Sequence, residues 1–381
     1  MFNYIIVGAG LAGAVMAERI ANILDEKVLV IERRNHIGGN CYDEIDKTGI
    51  IIHKYGPHIF HTNYKEVFKY LSHFTKWKEY QHHVLGFIDG KLVPLPFNLN
   101  TLHKLLPEAL AKTLEKKLLQ KYDYGKKIPI LQLLKEEDDQ DLKFLANYIY
   151  EKVFLNYTKK QWNLKPEEID EKVTGRVPIL FSRDDRYFQD RYQAVPQEGY
   201  TKMIQKILDH ENIKIMLNTN HQEILKIKNN KILFMNKEYK GKLIFTGKID
   251  ELFNYQYGKL PYRSLNFKFE TLNQKWYQPA ATINYPNDYD FTRITEFKHI
   301  HPTSTKKTII LKEYPQEHIE GKNEPCYPIP TEENQKTYKK YKKLAEKHEN
   351  LILLGRLAEY HYYNMDEIVK KALTTFKKEI K

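Results

Sequence analysis

Cysteine is almost missing from this chain. Only Cys41 and Cys326 occur in 381 residues, too few and too far apart for a disulfide framework or a zinc site. No metal-ligating constellation is expected. No apolar run reaches the roughly 20 residues that span a bilayer. The N-terminus has no basic leader and no signal-peptide core, because its short apolar run passes straight into a glycine turn. The expected location is the cytoplasm. There is no internal repeat, no low-complexity tract and no C-x-x-C pair. What remains is a globular composition, 41% hydrophobic and 29% charged with both signs interspersed, long enough for two or three domains. The formal net charge is +12. Lys and Arg are spread along the chain with no basic helix or recognised motif, which argues against nucleic acid and for an anionic small substrate.

The most informative stretch is "YIIVGAGLAG", residues 4–13. A strand-like run over 2–7 ends in Gly8, Gly10 and Gly13, a helix is expected over 11–22, and a second strand over 27–31 ends at Glu32. This is the start of a βαβ dinucleotide fold. Gly8 allows the tight turn, Gly10 lets backbone N–H groups approach a pyrophosphate, and Gly13 lets the helix pack on the strand. The helix N-terminus faces the phosphate, and Glu32 can accept ribose hydroxyls. A glycine turn serving packing alone is the plainer alternative.

Further along, "VLGFIDGKLVPLPFNLN" (84–100) reads as a hairpin with Asp89-Gly90 at its turn. Residues 101–155 carry helical periodicity. Short β-like runs recur between 210 and 246, and 262–314 alternates in a way that predicts an antiparallel sheet. A strand within 351–357, if it enters the first sheet, makes the nucleotide domain discontinuous. A closing helix is expected over 364–379.

The residues after Glu32 bear on which dinucleotide binds. Arg33 can lie over an adenine ring or pair with a phosphate. Gly38 and Gly39 make a second close-approach turn. The E-R-x4-G-G pattern resembles flavoproteins of the glutathione-reductase-like fold, and plain NAD dehydrogenases usually lack the second glycine pair. Arg356 in "GRLAEYHYYNMDEI" fits the segment that returns under the flavin in such folds, where it would meet a phosphate or the flavin edge. No second G-x-G-x-x-G is present for NADPH.

The remaining distinctive segments are not redox machinery. "YGPHIFHT", "NYTKKQWNLKPEEI", "GRVPI" with "DDRYF", "TRITEFKH" and "EPCYPIP" bring arginines and tyrosines. Arginine supplies a planar fork for phosphate oxygens, tyrosine a neutral donor, and aromatics a surface for a base. Taken singly, each could be a solvated arginine or a core aromatic. As an ordered set, running from "GAGLAG" to "NMDEI", they resemble the prokaryotic UDP-galactopyranose mutases.

The resemblance implies an α/β plus α+β fold. A Rossmann-like FAD-binding βαβ domain (1–78, 198–247 and 350–381) would carry an inserted helical domain (99–176) and a six-stranded antiparallel sheet domain (79–98, 177–197 and 248–349). A mobile loop near 170–180 would close the cleft. It further implies a flavin-facing His58 with His61 behind it, and cofactor contacts at Gly8, Gly10, Leu11, Ala12, Gly13, Glu32, Arg33, Gly38, Gly39, Asn40, Gly247, Arg356, Asn364 and Met365. Arg176 would be the mobile-loop arginine and Arg293 the fixed diphosphate arginine. Tyr187, Tyr327 and Tyr362 would hold phosphate. Phe154, Tyr157 and Trp162 would flank the uridine and sugar, and Asn284 would face the nucleotide.

The implied reaction interconverts UDP-galactopyranose and UDP-galactofuranose, supplying a furanose donor for cell-surface polysaccharide. It passes through a covalent adduct of the sugar anomeric carbon with N5 of reduced FAD, without net redox change. NAD(P)H or another reductant would keep the flavin reduced, and a homodimer would be the working state. Three positions depart from the family pattern: His82 where Asn is expected near the sugar, Ala358, and Asn364 in place of a carboxylate. Such changes bear on which sugar fits, N-acetylgalactosamine included. A FAD oxidase of amines or alcohols, or a non-enzymatic binding protein on the same fold, would share the glycine motifs but leave the arginine and tyrosine set unexplained.

Overall fold

The computed structural model describes residues 2–168, 177–228 and 230–381. Among them, five parallel strands form one sheet in the order Ile213–Met216, Val28–Ile31 (β2), Tyr4–Val7 (β1), Lys242–Phe245, Leu351–Leu353. Segments more than 300 residues apart thus meet in one sheet. These strands are short and apolar because both faces are covered. Period two sorts their side chains. Ile6, Val28, Val30, Ile244 and Ile352 face one core, built with helix Leu11–Leu24 (α1), helix Tyr200–Ile207 and the closing helix Met365–Thr375. Ile5, Val7, Leu29, Ile31, Leu243 and Phe245 face a second core on the other side.

That second core draws on two further elements. The helix Glu332–Ala345 and the turn Ile249–Leu252 fall within the span expected to belong to the sheet domain. Yet Tyr341 and Ala345 of the helix, with Ile249 and Leu252, pack under the nucleotide sheet. The lysine-rich helix looks polar in sequence, and only its narrow Tyr341–Ala345 stripe is buried.

A second sheet has seven strands in the order Tyr327–Pro328, Tyr262–Leu272, Thr308–Glu317, Arg293–Glu296, Thr282–Asn284, Val84–Ile88, Lys91–Leu95. It is one strand larger than expected and antiparallel except where Thr282–Asn284 runs parallel to Val84–Ile88. The expected hairpin is present: Ile88 pairs with Lys91 across Asp89 and Gly90, both at positive φ, as a tight primed turn requires.

The inserted helices Leu99–Leu105, Glu108–Lys121, Ile130–Leu133 and Gln140–Ile149 enclose their own core of Leu102, Leu114, Leu118, Leu145 and Ile149. Asn98 caps the first by accepting the Thr101 N–H at 3.0 Å. Asp139 caps the last through the Asp141 and Leu142 N–H groups. A widened π turn over Tyr150–Leu155 leads into helix Asn156–Trp162. Arg263 of the sheet donates to the carbonyls of Gln161 and Lys160 at 2.9 and 3.2 Å, which pins that helix end against the sheet.

The central strand sets the fold's stability. Replacing fully buried Ile6 by Ala should destabilise the protein by about 2–5 kcal/mol in urea unfolding. A loss under 1 kcal/mol would show that β1 is not the centre of the core.

Candidate active site

In a parallel sheet the ligand crevice lies at the carboxyl ends of the strands, where strand order reverses. Here the reversal is at β1, flanked by β2 on one side and Lys242–Phe245 on the other. The residues that follow these strands (Gly8, Glu32, Thr246, Gly247 and Gly355) line one cleft of about 230 Å³. Leu11 and Ala12 of α1, Gly10, Arg33, Gly38, Gly39, Asn40, His58, Arg356, Asn364 and Met365 line it too. Two expected residues are not on its wall. Gly13 lies one turn into α1, where a side chain would run into the Gly8 carbonyl; its part is the close packing of helix on strand. His61 bonds Asp190 at 2.9 Å and stacks on Phe188 at 3.6 Å.

The donor set fits a dinucleotide. The two glycine turns face each other so closely that a Cβ on Gly39 would sit 2.9 Å from the Gly10 Cα, leaving a cradle of bare backbone. The Glu32 carboxylate is fixed by the Ala9 and Arg34 N–H groups, both at 2.9 Å. Arg33 and Arg34 share Glu324, with Arg34 at 2.6 Å. Two buried polar atoms on this wall, Arg34 Nη1 and His221 Nε2, have no partner among the described residues. Buried groups are normally paired, so both mark where a ligand atom belongs. Neither was read from the sequence. Arg34 was hidden beside Arg33, and His221 gains meaning only when its strand connection folds over Glu32. Asn364 caps the closing helix, with its N–H donated to Glu367 at 2.7 Å, a position that suits Asn as well as Asp. Ala358 is buried in the second core.

Next to this cleft stands a cationic cluster. Arg293 on the second sheet donates Nε to Glu313 on the neighbouring strand at 2.7 Å, and the two residues are register partners. Burial opposes the charge on Arg293, but Glu313 overrides it and holds the guanidinium pKa above its ordinary value. Arg293 interacts electrostatically with Tyr157, Tyr327 and His58. Burial pushes the Tyr157 and Tyr327 phenols up, so both stay neutral donors. Tyr327 stacks on Tyr362 at 5.6 Å and leans on Trp162 at 5.8 Å. Arg356 lies over Tyr362 and Tyr327, at 4.5 and 5.4 Å, while donating to the carbonyls of Cys326 and Tyr363. It therefore joins the dinucleotide cleft to the tyrosines. Asn284 pairs in register with Arg293, and its buried Oδ1 has no partner among the described residues.

Tyr187 donates its N–H to the His82 carbonyl at 2.7 Å. His82 itself is buried, bonded to Tyr80 Oη at 3.1 Å and edge-on to Tyr187 at 5.7 Å. Phe154 belongs to the helical core, against which Tyr187 also packs. Arg176 lies outside the described residues.

His58 is bonded through Nδ1 to the Gly56 carbonyl at 2.8 Å, so Nδ1 carries the proton and Nε2 offers a lone pair. Burial, with smaller contributions from Arg356 and Arg293, lowers its pKa to about 4.

Fold and cleft define a dinucleotide-binding protein with an arginine and tyrosine cluster beside the cofactor end. A family profile described as UDP-galactopyranose mutase matches residues 152–362, and one described as an NAD(P)-binding Rossmann-like domain matches residues 6–74. The chain is 36% identical over 378 residues to a probable UDP-galactopyranose mutase of Klebsiella pneumoniae, covering 98% of this chain and 93% of that one. It is 34% identical over 381 residues to a dTDP-fucopyranose mutase of Escherichia coli, covering 98% and 97%. A crystal structure of reduced UDP-galactopyranose mutase shares the fold, with a TM-score of 0.74 at 17% identity over 98% of this chain and 92% of that one. The chain belongs to the UDP-galactopyranose mutase family. No helix among the described residues is long and apolar enough to cross a membrane.

Burial also depresses His82 to about 3, and His221 and His301 to about 4. The unfolded chain protonates these rings near pH 6.5 and the folded one only near pH 4, so their stabilisation is complete above pH 6.5 and lost on acidification toward 4. Thermal unfolding between pH 7 and 4.5 should show falling stability, with each ring contributing up to about 1.4 kcal/mol per pH unit. A flat profile would mean that these rings are solvated.

Proposed function

We propose that this protein is a flavin-dependent mutase that interconverts UDP-galactopyranose and UDP-galactofuranose. The observation that carries the reading is a half-buried, carboxylate-held arginine with neutral tyrosines, set beside a dinucleotide cleft. That is an anion site for a sugar diphosphate, placed where a cofactor ring would end. FAD is the proposed dinucleotide, held at its diphosphate by the Gly10 and Gly39 turns, with Glu32 serving the ribose. Reduced flavin supplies nucleophilic covalent catalysis at the sugar carbon.

The chain's own residues have three tasks. Arg293 binds the diphosphate and stabilises its charge as the sugar leaves, then holds it for return. Tyr157, Tyr187, Tyr327 and Tyr362 give neutral donors and exclude water. His58 keeps its proton on Nδ1 and presents Nε2 to the cleft, which suits orientation rather than proton uptake at neutral pH. Arg176 is proposed as a second diphosphate arginine, with NAD(P)H as reductant and a cytoplasmic homodimer as the working form.

A second reading is a dTDP-deoxysugar substrate, favoured by the relative that carries that activity in its name. An anaerobic assay of dithionite-reduced holoprotein separates the readings. UDP-galactose, UDP-N-acetylgalactosamine and dTDP-fucose, each as pyranose and furanose, would be resolved by chromatography. Interconversion of the UDP-galactose pair, only when reduced, is expected. Turnover of the dTDP pair alone would replace the first reading by the second. In the same assay Arg293→Ala should lose at least about a hundredfold, roughly 3 kcal/mol, while retaining bound flavin. Near-normal turnover would remove Arg293 from the diphosphate site.

A further inference from the structure

Behind the cleft, three histidines from two distant segments are connected. His53, at the end of strand Ile51–His53, is almost fully buried. Its Nδ1 accepts the backbone N–H of His58 at 2.9 Å. Its Nε2 lies 3.3 Å from Nε2 of His301, which follows the helical turn Phe297–Ile300 on the second sheet.

A backbone N–H can only donate, so His53 Nδ1 carries no proton. The neutral ring therefore has its proton on Nε2 and donates to His301 Nε2. That makes Nε2 of His301 an acceptor and puts the His301 proton on Nδ1. The direction of the chain is fixed from end to end. Adding a proton at either ring would set two donors against each other. The groups facing the rings also oppose protonation: His58 and His301 around His53, and Lys78 beside His301. Tyr200 and Phe297 close the remaining sides of His53 with aromatic contacts at 5.6 and 5.5 Å.

The loop so held is the one that carries His58. On its other side Gly56 abuts the Arg293–Glu313 pair; a Cβ there would lie 3.5 Å from Glu313 Oε1 and 3.6 Å from Arg293 Nη2. Gly56 also accepts the His58 Nδ1 proton. The loop is thus fixed between a histidine pair and the diphosphate arginine.

We propose that His53 and His301 are positioning residues that lock the His58 loop through a single tautomer chain, and that they act through the backbone N–H of His58 rather than on substrate. The inference rests on reading His58 as the residue that faces the flavin. It extends the site by two residues and about 250 positions of sequence.

The test begins on wild-type holoprotein with 15N-labelled histidine and no substrate. Long-range proton–nitrogen correlation spectra report the tautomer of each ring, and the His53 signal is assigned by its loss in His53→Asn. The expected result is an Nε2–H tautomer for His53 from pH 6 to 8. An Nδ1–H tautomer, or a charged ring at pH 7, would overturn the proposal. This arm needs no turnover, so it separates failure of the lock from failure of the substrate reading.

Variants then test the consequence. Asn keeps an acceptor at the δ position, and Gln keeps one at the ε position. His53→Phe and His301→Leu should each lower kcat by roughly tenfold to a hundredfold, the scale of a misplaced catalytic group, with KM for the nucleotide sugar nearly unchanged. His53→Asn and His301→Gln should restore most of it. They should also restore the absorption spectrum of the bound flavin, which the apolar variants shift. Equal losses in apolar and conservative variants, tracking their melting temperatures, would reduce the pair to a packing role.

Discussion

A carboxylate on one strand and a guanidinium on the next hold this site together. Glu313 is almost completely buried, and it is there because its strand pairs in register with Arg293. A cation desolvated without such a partner is costly. With it, Arg293 can stay inside the protein with donors left for another anion. The surrounding features follow from that fixed charge. The Gly56 loop leans on it, Tyr157 and Tyr327 stay within its field, and His58 remains neutral near it. The positive charge of the site therefore comes from arginine, which does not titrate in the physiological range. Neutral rings supply direction instead: His58 a lone pair, and the tyrosines hydroxyl donors.

The dinucleotide half of this arrangement was legible in the sequence because its signals are local. Gly8, Gly10, Gly38 and Gly39 stand in two short glycine motifs, and Glu32 follows its strand directly. The apolar runs of β1 and β2 announced a βαβ start, while Lys242–Phe245 and Leu351–Leu353 read only as short strands whose place in that sheet the structure supplies. Asp89-Gly90 announced its hairpin. The second sheet is one strand larger than the resemblance implied, and its edge strand Tyr327–Pro328, only two residues long, leaves no periodic trace in the sequence.

The parts that sequence did not reveal are those made by register and crossover. Glu313 sits in an alternating strand where nothing marks it as the partner of Arg293. His53 and His301 lie 248 residues apart. Phe154 lies within the π turn Tyr150–Leu155 and packs in the helical core, against which Tyr187 also rests, a placement that sequence does not show. His61 shares a motif with His58, yet its bond to Asp190 gives it a different neighbourhood.

The five-stranded sheet also bears on how the protein is made. Its central strand lies at residues 4–7, while its edge strand, Leu351–Leu353, pairs with Lys242–Phe245 and is made much later. At roughly 5–20 residues per second, a ribosome takes tens of seconds to cover that distance. From its own synthesis until then Lys242–Phe245 has an open edge, and Arg356 has not arrived to join the cleft to the tyrosines. The helical insert can settle early because its contacts are local. The dinucleotide cleft is incomplete until Gly355 and Arg356 have left the ribosome to join the glycine turns made near the start.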